Sequence, residues 1–272
     1  MSYSCPLCDS SLAPRNNSYH CNNNHSFDIA KEGYVNLMPV QHKRSKHPGD
    51  NKEMMQARRH FLEKSYYQPL QEKVAQLCVH YLQGSQHKLL DIGCGEGYYT
   101  NEVASQLINR NAKAITYGLD ISKVAIRYAA KRYPNCQFSV ASSTRLPFEE
   151  SSLSAVLKIY APCNPTELKR VVHSEGVLIT VTPGARHLYQ LRERLYETVK
   201  LHDEKPDEFE GFKLEKVEKL SYTMTLKNGD ADKLLQMTPF AWKADSTLRQ
   251  LLATAKSFDC DADFIIQIYR RV

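Results

Sequence analysis

The stretch Leu89-Leu90-Asp91-Ile92-Gly93-Cys94-Gly95-Glu96-Gly97 constrains the fold more than any other part of the chain. An apolar run of strand length enters it, a helical pattern leaves it, and three glycines lie between. Such a turn lets the backbone reverse tightly and approach a ligand at the carboxyl edge of a parallel sheet. The residues from 86 onward agree. HKLLDIG, AITYGLD, CQFSVAS, LSAVLKIYA and GVLITVTP read as buried strands, and TNEVASQLIN, SKVAIRYAAKRY, PTELKRVVH and HLYQLRERLYETVK as helices among them. KLEKVEKLSYTMTL and DFIIQIYRRV alternate with period two and read as two late strands. The pattern predicts an α/β, Rossmann-like fold, a doubly wound and mostly parallel seven-stranded sheet with right-handed crossovers. Ahead of it, residues 52–83 read as helix: Pro69 opens a stretch with Leu70, Val74, Leu77 and Tyr81 at helical spacing, and Gly84 ends it.

A glycine-rich turn alone is shared with nicotinamide and flavin enzymes. The carboxylates discriminate. Asp91, just before the glycines, would repel a pyrophosphate, so a phosphate-free, positively charged nucleoside fits better, and S-adenosylmethionine is one. Asp120 ends the second strand, where a carboxylate can accept hydrogen bonds from ribose hydroxyls. Ser142 ends the third. Taken singly, Asp120 reads equally well as a helix cap and Ser142 as a turn residue. Three strand ends in register argue for a ligand.

Residues 1–37 lack long periodic apolar runs and need a staple to fold. Cys5, Cys8, Cys21 and His25 form C-x2-C-x12-C-x3-H, the spacing of a tetrahedral Zn2+ site built from two short turns. His20 is an alternative fourth ligand, but its adjacency to Cys21 hinders simultaneous ligation. Four protein ligands leave no open position, so the zinc is structural. Residues 1–90 hold eleven Lys/Arg against seven Asp/Glu, and seven of the ten histidines. The positive excess sits beside the zinc module and favours a phosphate-bearing partner, nucleic acid first. The division expected is a zinc-binding RNA-recognition module at 1–37, a basic linker and helices at 38–85, and a methyltransferase domain at 86–272. Lys43, Arg44, Lys46, Arg58 and Arg59 are the candidate RNA contacts. The chain shows no apolar run of membrane-spanning length and no secretory pattern at its start, and its scattered thiols suit a reducing compartment, so a cytoplasmic location without membrane contact is expected.

The blocks CPLC with Cys21 and His25, FDIAKEGYVNLMPVQHKRSKHPGD, MMQARRHFL, LDIGCGEGYYT, GLDISKVAIRYAAKRYP, LPF, IYAPC, TPGARHL and LLQMTPFAW cover nearly the whole chain. On them the sequence resembles the RlmA family of bacterial 23S rRNA guanine-N1 methyltransferases. The resemblance implies methyl transfer from S-adenosylmethionine to N1 of a guanine in an rRNA hairpin loop, of the guanine 745 type rather than the sister type that modifies a nearby guanine. It implies zinc on Cys5, Cys8, Cys21 and His25. It also implies a cofactor site that includes Glu96, Gly97, Tyr67 as a closing lid, and His187, and it makes a homodimer an open expectation.

Guanine N1 carries a proton near neutral pH, so transfer needs in-line geometry and an exit for that proton. The candidates at the strand ends are Asp91, Glu96, Tyr160 and His187, and none is singled out as the base. Tyr160 can also stack on an extruded base. Cys163, after Pro162, raises a rival chemistry: a thiolate attacking a pyrimidine ring for C5 methylation. A second rival is a small-molecule methyltransferase, against which the zinc module and the basic linker stand.

Overall fold

The computed structural model describes residues 3–39, 51–82 and 87–272. Three short strands, β1 (Ala13–Arg15), β2 (Ser18–His20) and β3 (Ser26–Asp28), form a small antiparallel sheet. β4 (Val35–Asn36) follows, then helices α1 (Lys52–Glu63) and α2 (Gln68–Tyr81). The alternating region contains β5 (Lys88–Ile92), α3 (Tyr98–Arg110), β6 (Ile115–Asp120), α4 (Lys123–Arg132), β7 (Gln137–Val140), β8 (Leu153–Ile159), α5 (Pro165–Val171), β9 (Val172–Pro183) and α6 (Tyr189–Glu193). It closes with β10 (Phe212–Lys227), α7 (Asp230–Gln236), α8 (Ser246–Thr254) and β11 (Ser257–Arg271).

The large sheet has the order β10-β11-β9-β8-β5-β6-β7-β4. Pairings from β9 across to β4 are parallel, and β11 pairs antiparallel with both β9 and β10. The seven expected strands are present. The eighth, β4, comes from the N-terminal segment: Val35 and Asn36 pair with Ser139 and Val140. The chain order reverses between β5 and β8. At that point the carboxyl ends of the two strands diverge and leave a crevice for a ligand.

Two expectations about helices are corrected. Residues 52–82 form two helices, because Ser65 takes φ +63 and breaks the ladder between α1 and α2. The long helix expected after β9 shrinks to the five residues of α6. The reason is Arg192, only 8% exposed, whose guanidinium donates to the carbonyls of His187 and Lys200. Satisfying that buried cation draws the chain back over the start of α6, and His202 N–H bonds Ala185 O. A continuing helix would carry residue 200 away from it.

On one face of the sheet, α2 and α3 pack against Leu89, Leu157, Ile179 and Ile266. On the other face the connection 141–152 between β7 and β8 contains no helix. The N-terminal segment covers that area. Tyr3 lies with its ring centroid 5.3 Å from Tyr117 on β6 and 5.1 Å from Phe148, and its backbone bridges Phe148. Leu12, Cys5 and Tyr3 share one apolar cluster with Leu90, Ile92, Leu119 and Val156. The small ribbon therefore stands where a crossover helix would otherwise shield the sheet.

Candidate metal and cofactor sites

Cys5 and Cys8 lie on a turn closed by Cys8 N–H and Asp9 N–H donating to Cys5 O, with Asp9 at φ +58. Cys21 and His25 lie on a second turn, closed by Cys21 N–H to His25 O and Asn24 N–H to Cys21 O. Asn24 sits at φ +62, a conformation asparagine tolerates. The four ligand atoms all lie within 4.8 Å of one another. Cys8 Sγ and Cys21 Sγ are 3.7 Å apart, and His25 Nδ1 is 3.4 Å from both Cys5 Sγ and Cys21 Sγ. A tetrahedral zinc with Zn–S of about 2.3 Å and Zn–N of about 2.0 Å has edges of about 3.8 and 3.5 Å. The residues fit the metal, and a sulfur pair at 3.7 Å is not a disulfide, whose bond is about 2.05 Å. His20 faces elsewhere, its Nε2 2.8 Å from Ser18 Oγ.

The cofactor constellation gathers at the carboxyl ends of β5, β6, β7 and β8. Gly93, Gly95 and Gly97 take φ +70, +55 and +81. At Gly93 a Cβ would stand 2.6 Å from the Ala161 Cβ, so the loop abuts the end of β8 at the crevice. Asp120 accepts from Gly95 N–H at 3.0 Å and from Ser122 N–H at 2.8 Å. It thus braces the glycine loop against the β6 end. Burial raises its pKa, opposed by those two amides and by Arg58.

Asp91 lies behind the loop, 2% exposed, accepting from Thr100 Oγ1 on α3 at 2.6 Å. Burial pushes its pKa up to about 7 from 3.8, with Thr100 opposing. A carboxyl raised in the folded state binds a proton that the unfolded chain has released, so its contribution favours folding at low pH and is lost as pH rises through the window from about 4 to 7. The shift corresponds to about 4 kcal/mol at 1.36 kcal/mol per unit. Asp91→Asn is therefore expected to flatten the pH 5–8 stability profile and to exceed wild type in urea midpoint at pH 8. Parallel profiles for the two proteins would reject this assignment.

Glu96 is held by Arg59, which donates from Nε at 2.7 Å and Nη2 at 2.5 Å. Arg59 also lies over the Tyr128 ring at 4.3 Å. Arg58 donates to Met237 O at 3.4 Å, and its charge acts on Asp120. Both arginines, expected as RNA contacts, turn their guanidiniums toward the cofactor loop and its surroundings. Arg59 ties α1 to the glycine turn and Arg58 ties it to the end of α7, roles no local pattern announced because the partners lie 37 and 179 residues away. Lys43, Arg44 and Lys46 lie outside the described residues. Ser142 Oγ is engaged with Thr144, 2.7 Å from its Oγ1 and accepting its N–H at 3.2 Å.

Tyr67, His187 and Tyr160 come together. His187 Nε2 is 3.4 Å from Tyr67 Oη and 3.5 Å from Tyr160 Oη. Its Nδ1 accepts the backbone N–H of Asp263 at 3.3 Å. Burial, with smaller effects of its neighbours, pushes its pKa down to about 3. The neutral ring with Nδ1 as acceptor carries its hydrogen on Nε2, so it donates toward the tyrosines and is not set up as a base. Tyr67 is buried, edge-on to Phe61 and Phe264. Tyr160 adopts φ +54, rare for a bulky residue. Its hydroxyl is tucked toward His187, yet 47% of the residue's surface is exposed.

The Cys163 rival fails on its surroundings. The thiol donates to Ser143 O at 3.3 Å, and burial pushes its pKa up to about 12, so no thiolate is available near neutral pH. Cys163→Ala is expected to keep RNA methylation within about threefold of wild type in an initial-rate assay. Loss of turnover with cofactor binding intact would restore covalent chemistry.

A glycine loop at the switch point and a carboxylate at the next strand end fit an S-adenosylmethionine-dependent methyltransferase, here carrying a zinc ribbon. A family model for a methyltransferase domain matches residues 83–241, and one described as the N-terminal zinc ribbon of RlmA matches residues 3–46. The chain belongs to the 23S rRNA (guanine-N1)-methyltransferase family. It is 33% identical to YxjB of Bacillus subtilis (strain 168), carried under that family's name, over 98% of this chain and 96% of the relative. It is 30% identical to the 23S rRNA (guanine(748)-N(1))-methyltransferase of Streptomyces fradiae, over 89% and 86%. A relative from Micromonospora griseorubida, also carried under the family's name, is 32% identical over 70% and 68%. Among the described residues no helix is long and apolar enough to cross a membrane.

Proposed function

We propose that this protein transfers a methyl group from S-adenosylmethionine to N1 of a guanine in a 23S rRNA hairpin loop. The single observation that carries the reading is the joining of a zinc ribbon to the β6–β7 side of a methyltransferase sheet, with Tyr160 open at the crevice beside it. Bound there, S-adenosylmethionine supplies an electrophilic methyl group. Gly93, Gly95 and Gly97 would let the backbone approach it, Asp120 would hold its ribose, Ser142 would take its adenine, and Asp91, Glu96, Tyr67 and His187 would support the loop and lid around it.

The chain's own part in the step is positioning. The exposed face of Tyr160 stacks on the extruded guanine, and the His187 Nε2 hydrogen fixes the tyrosine hydroxyl. As the N1–methyl bond forms and the sulfonium–methyl bond breaks, the N1 proton passes to water. Asp91 and His187 are buried and bonded, and Glu96 is held by Arg59. The ribbon at 1–37 and the linker residues Lys43, Arg44 and Lys46 supply the RNA footprint. A homodimer would widen that groove, and sedimentation of the zinc-loaded protein decides it.

The test is direct. Incubation with labelled S-adenosylmethionine and rRNA from a strain lacking the gene should place the label on N1 of one guanine. The resemblance favours guanine 745 over the guanine 748 named for the Streptomyces relative. Label on a pyrimidine, or on no RNA, overturns the reading.

A further inference from the structure

The block LLQMTPFAW is accounted for neither by the cofactor site nor by the zinc ribbon. Its turn runs from the end of α7 to Lys243 and is fixed from inside. Thr238 Oγ1 donates to Leu235 O at 2.7 Å, and Phe240, Ala241 and Ala244 pack on the core. Trp242 is left outside, 77% exposed, and it is the chain's one tryptophan. An aromatic side chain of this size normally buries about 150–250 Å² on folding. A single exposed ring is ordinary on a protein surface, so its neighbours decide whether it forms a site.

The surroundings say which ligand. Lys243 Nζ lies 4.1 Å from the Tyr196 ring centroid and 5.4 Å from that of Trp242, and it forms no ion pair among the described residues. Arg249 donates to Ala241 O at 3.1 Å, which brings a second cation to the base of the same turn. The nearby carboxylate of Asp245 is occupied as the cap of α8, accepting Leu248 N–H at 2.7 Å. A flat apolar ring flanked by cations is the arrangement that takes an unpaired nucleic-acid base, with the phosphates on either side of it neutralised. The turn also borders the cofactor region: Met237 O accepts from Arg58 on α1, and Arg59, next in that helix, holds Glu96 of the glycine loop.

We propose that Trp242, with Lys243 and Arg249, is a stacking platform for an unpaired base of the substrate RNA, other than the base being methylated. The inference rests on reading the chain as an RNA methyltransferase. Full-length, zinc-loaded protein is titrated with the rRNA hairpin and with a fully paired RNA duplex of equal length, while the intrinsic emission of Trp242 is followed. The hairpin should quench it and the duplex should not. Trp242→Ala should raise KM for the hairpin by about tenfold or more, with kcat, cofactor affinity and salt slope unchanged, because stacking carries no charge. Trp242→Phe should restore most of the loss.

Unchanged emission at saturating hairpin overturns the proposal, as does a Trp242→Ala KM within twofold of wild type. Emission that follows protein concentration instead of RNA assigns the ring to a second copy of the chain, which also overturns it. A hairpin that quenches Trp242 but is not methylated by the wild type leaves the platform standing and refutes the substrate.

Discussion

Stripping zinc from the ribbon is expected to abolish RNA methylation and to lower the melting temperature of the whole chain. The ribbon's own strands are only three residues each, and metal binding is its folding free energy, on the order of 10 kcal/mol or more for comparable small zinc modules. The effect spreads because Tyr3, Cys5 and Leu12 are buried against Tyr117, Leu119 and Phe148. Unfolding the ribbon uncovers that face of β6, whose last residue is Asp120. Cys8→Ser, or a strong chelator, should therefore release one zinc per chain, reduce turnover on the hairpin at least 100-fold and weaken cofactor binding more modestly. Acidification should act like the chelator, since thiolates and a neutral imidazole are the ligands. Metal analysis, calorimetry and turnover on one sample check this. A zinc-free protein with unchanged melting temperature would show that the ribbon is not part of the core.

Asp120→Ala is expected to weaken cofactor binding about 100-fold or more. The carboxylate serves two partners at once. It accepts from the Gly95 and Ser122 amides, and on the proposed reading it would also hold the ribose. Alanine leaves both amides without their acceptor, at about 1–3 kcal/mol each where water cannot replace it, and removes the ribose contact as well. The amide bonds bear on the stability of the loop; for affinity, two ribose hydrogen bonds to a charged carboxylate at about 1.5–3 kcal/mol each reach the expected size at about 1.4 kcal/mol per tenfold. Asp120→Asn keeps an acceptor and should fall between the two. Calorimetric titration with S-adenosylhomocysteine reads the effect, and binding within threefold of wild type would remove Asp120 from the site.

The parts legible in the sequence were those written locally. The glycine turn, the four zinc ligands and the strand–helix alternation each depend on residues close in the chain, and the structure forms them with nearly the expected bounds. What was illegible depends on partners far apart. Ser65 breaks 52–82 into two helices through one backbone angle that its side chain does not advertise. Arg192 ends α6 by reaching Lys200 O, which outweighs a good helical pattern. Arg58 and Arg59 look like a phosphate-binding pair because basic residues side by side carry no sign of direction. Only the fold shows that Glu96 is waiting for one of them. The join of ribbon to sheet was invisible for the same reason: Tyr3 and Phe148 are adjacent only once β6 and β7 exist.

That join bears on how the protein is made. A ribosome releases residues 3–36 long before β7, the strand that β4 will flank. Zinc supplies the ribbon's folding free energy, so with metal at hand the ribbon is expected to form while its docking face is still being synthesised. When β6 and β7 emerge, their apolar side meets a finished cover carried on the same chain and spends little time exposed to other nascent chains. Metal supply during translation should then set the yield of soluble protein, before any effect on the rate of the mature enzyme.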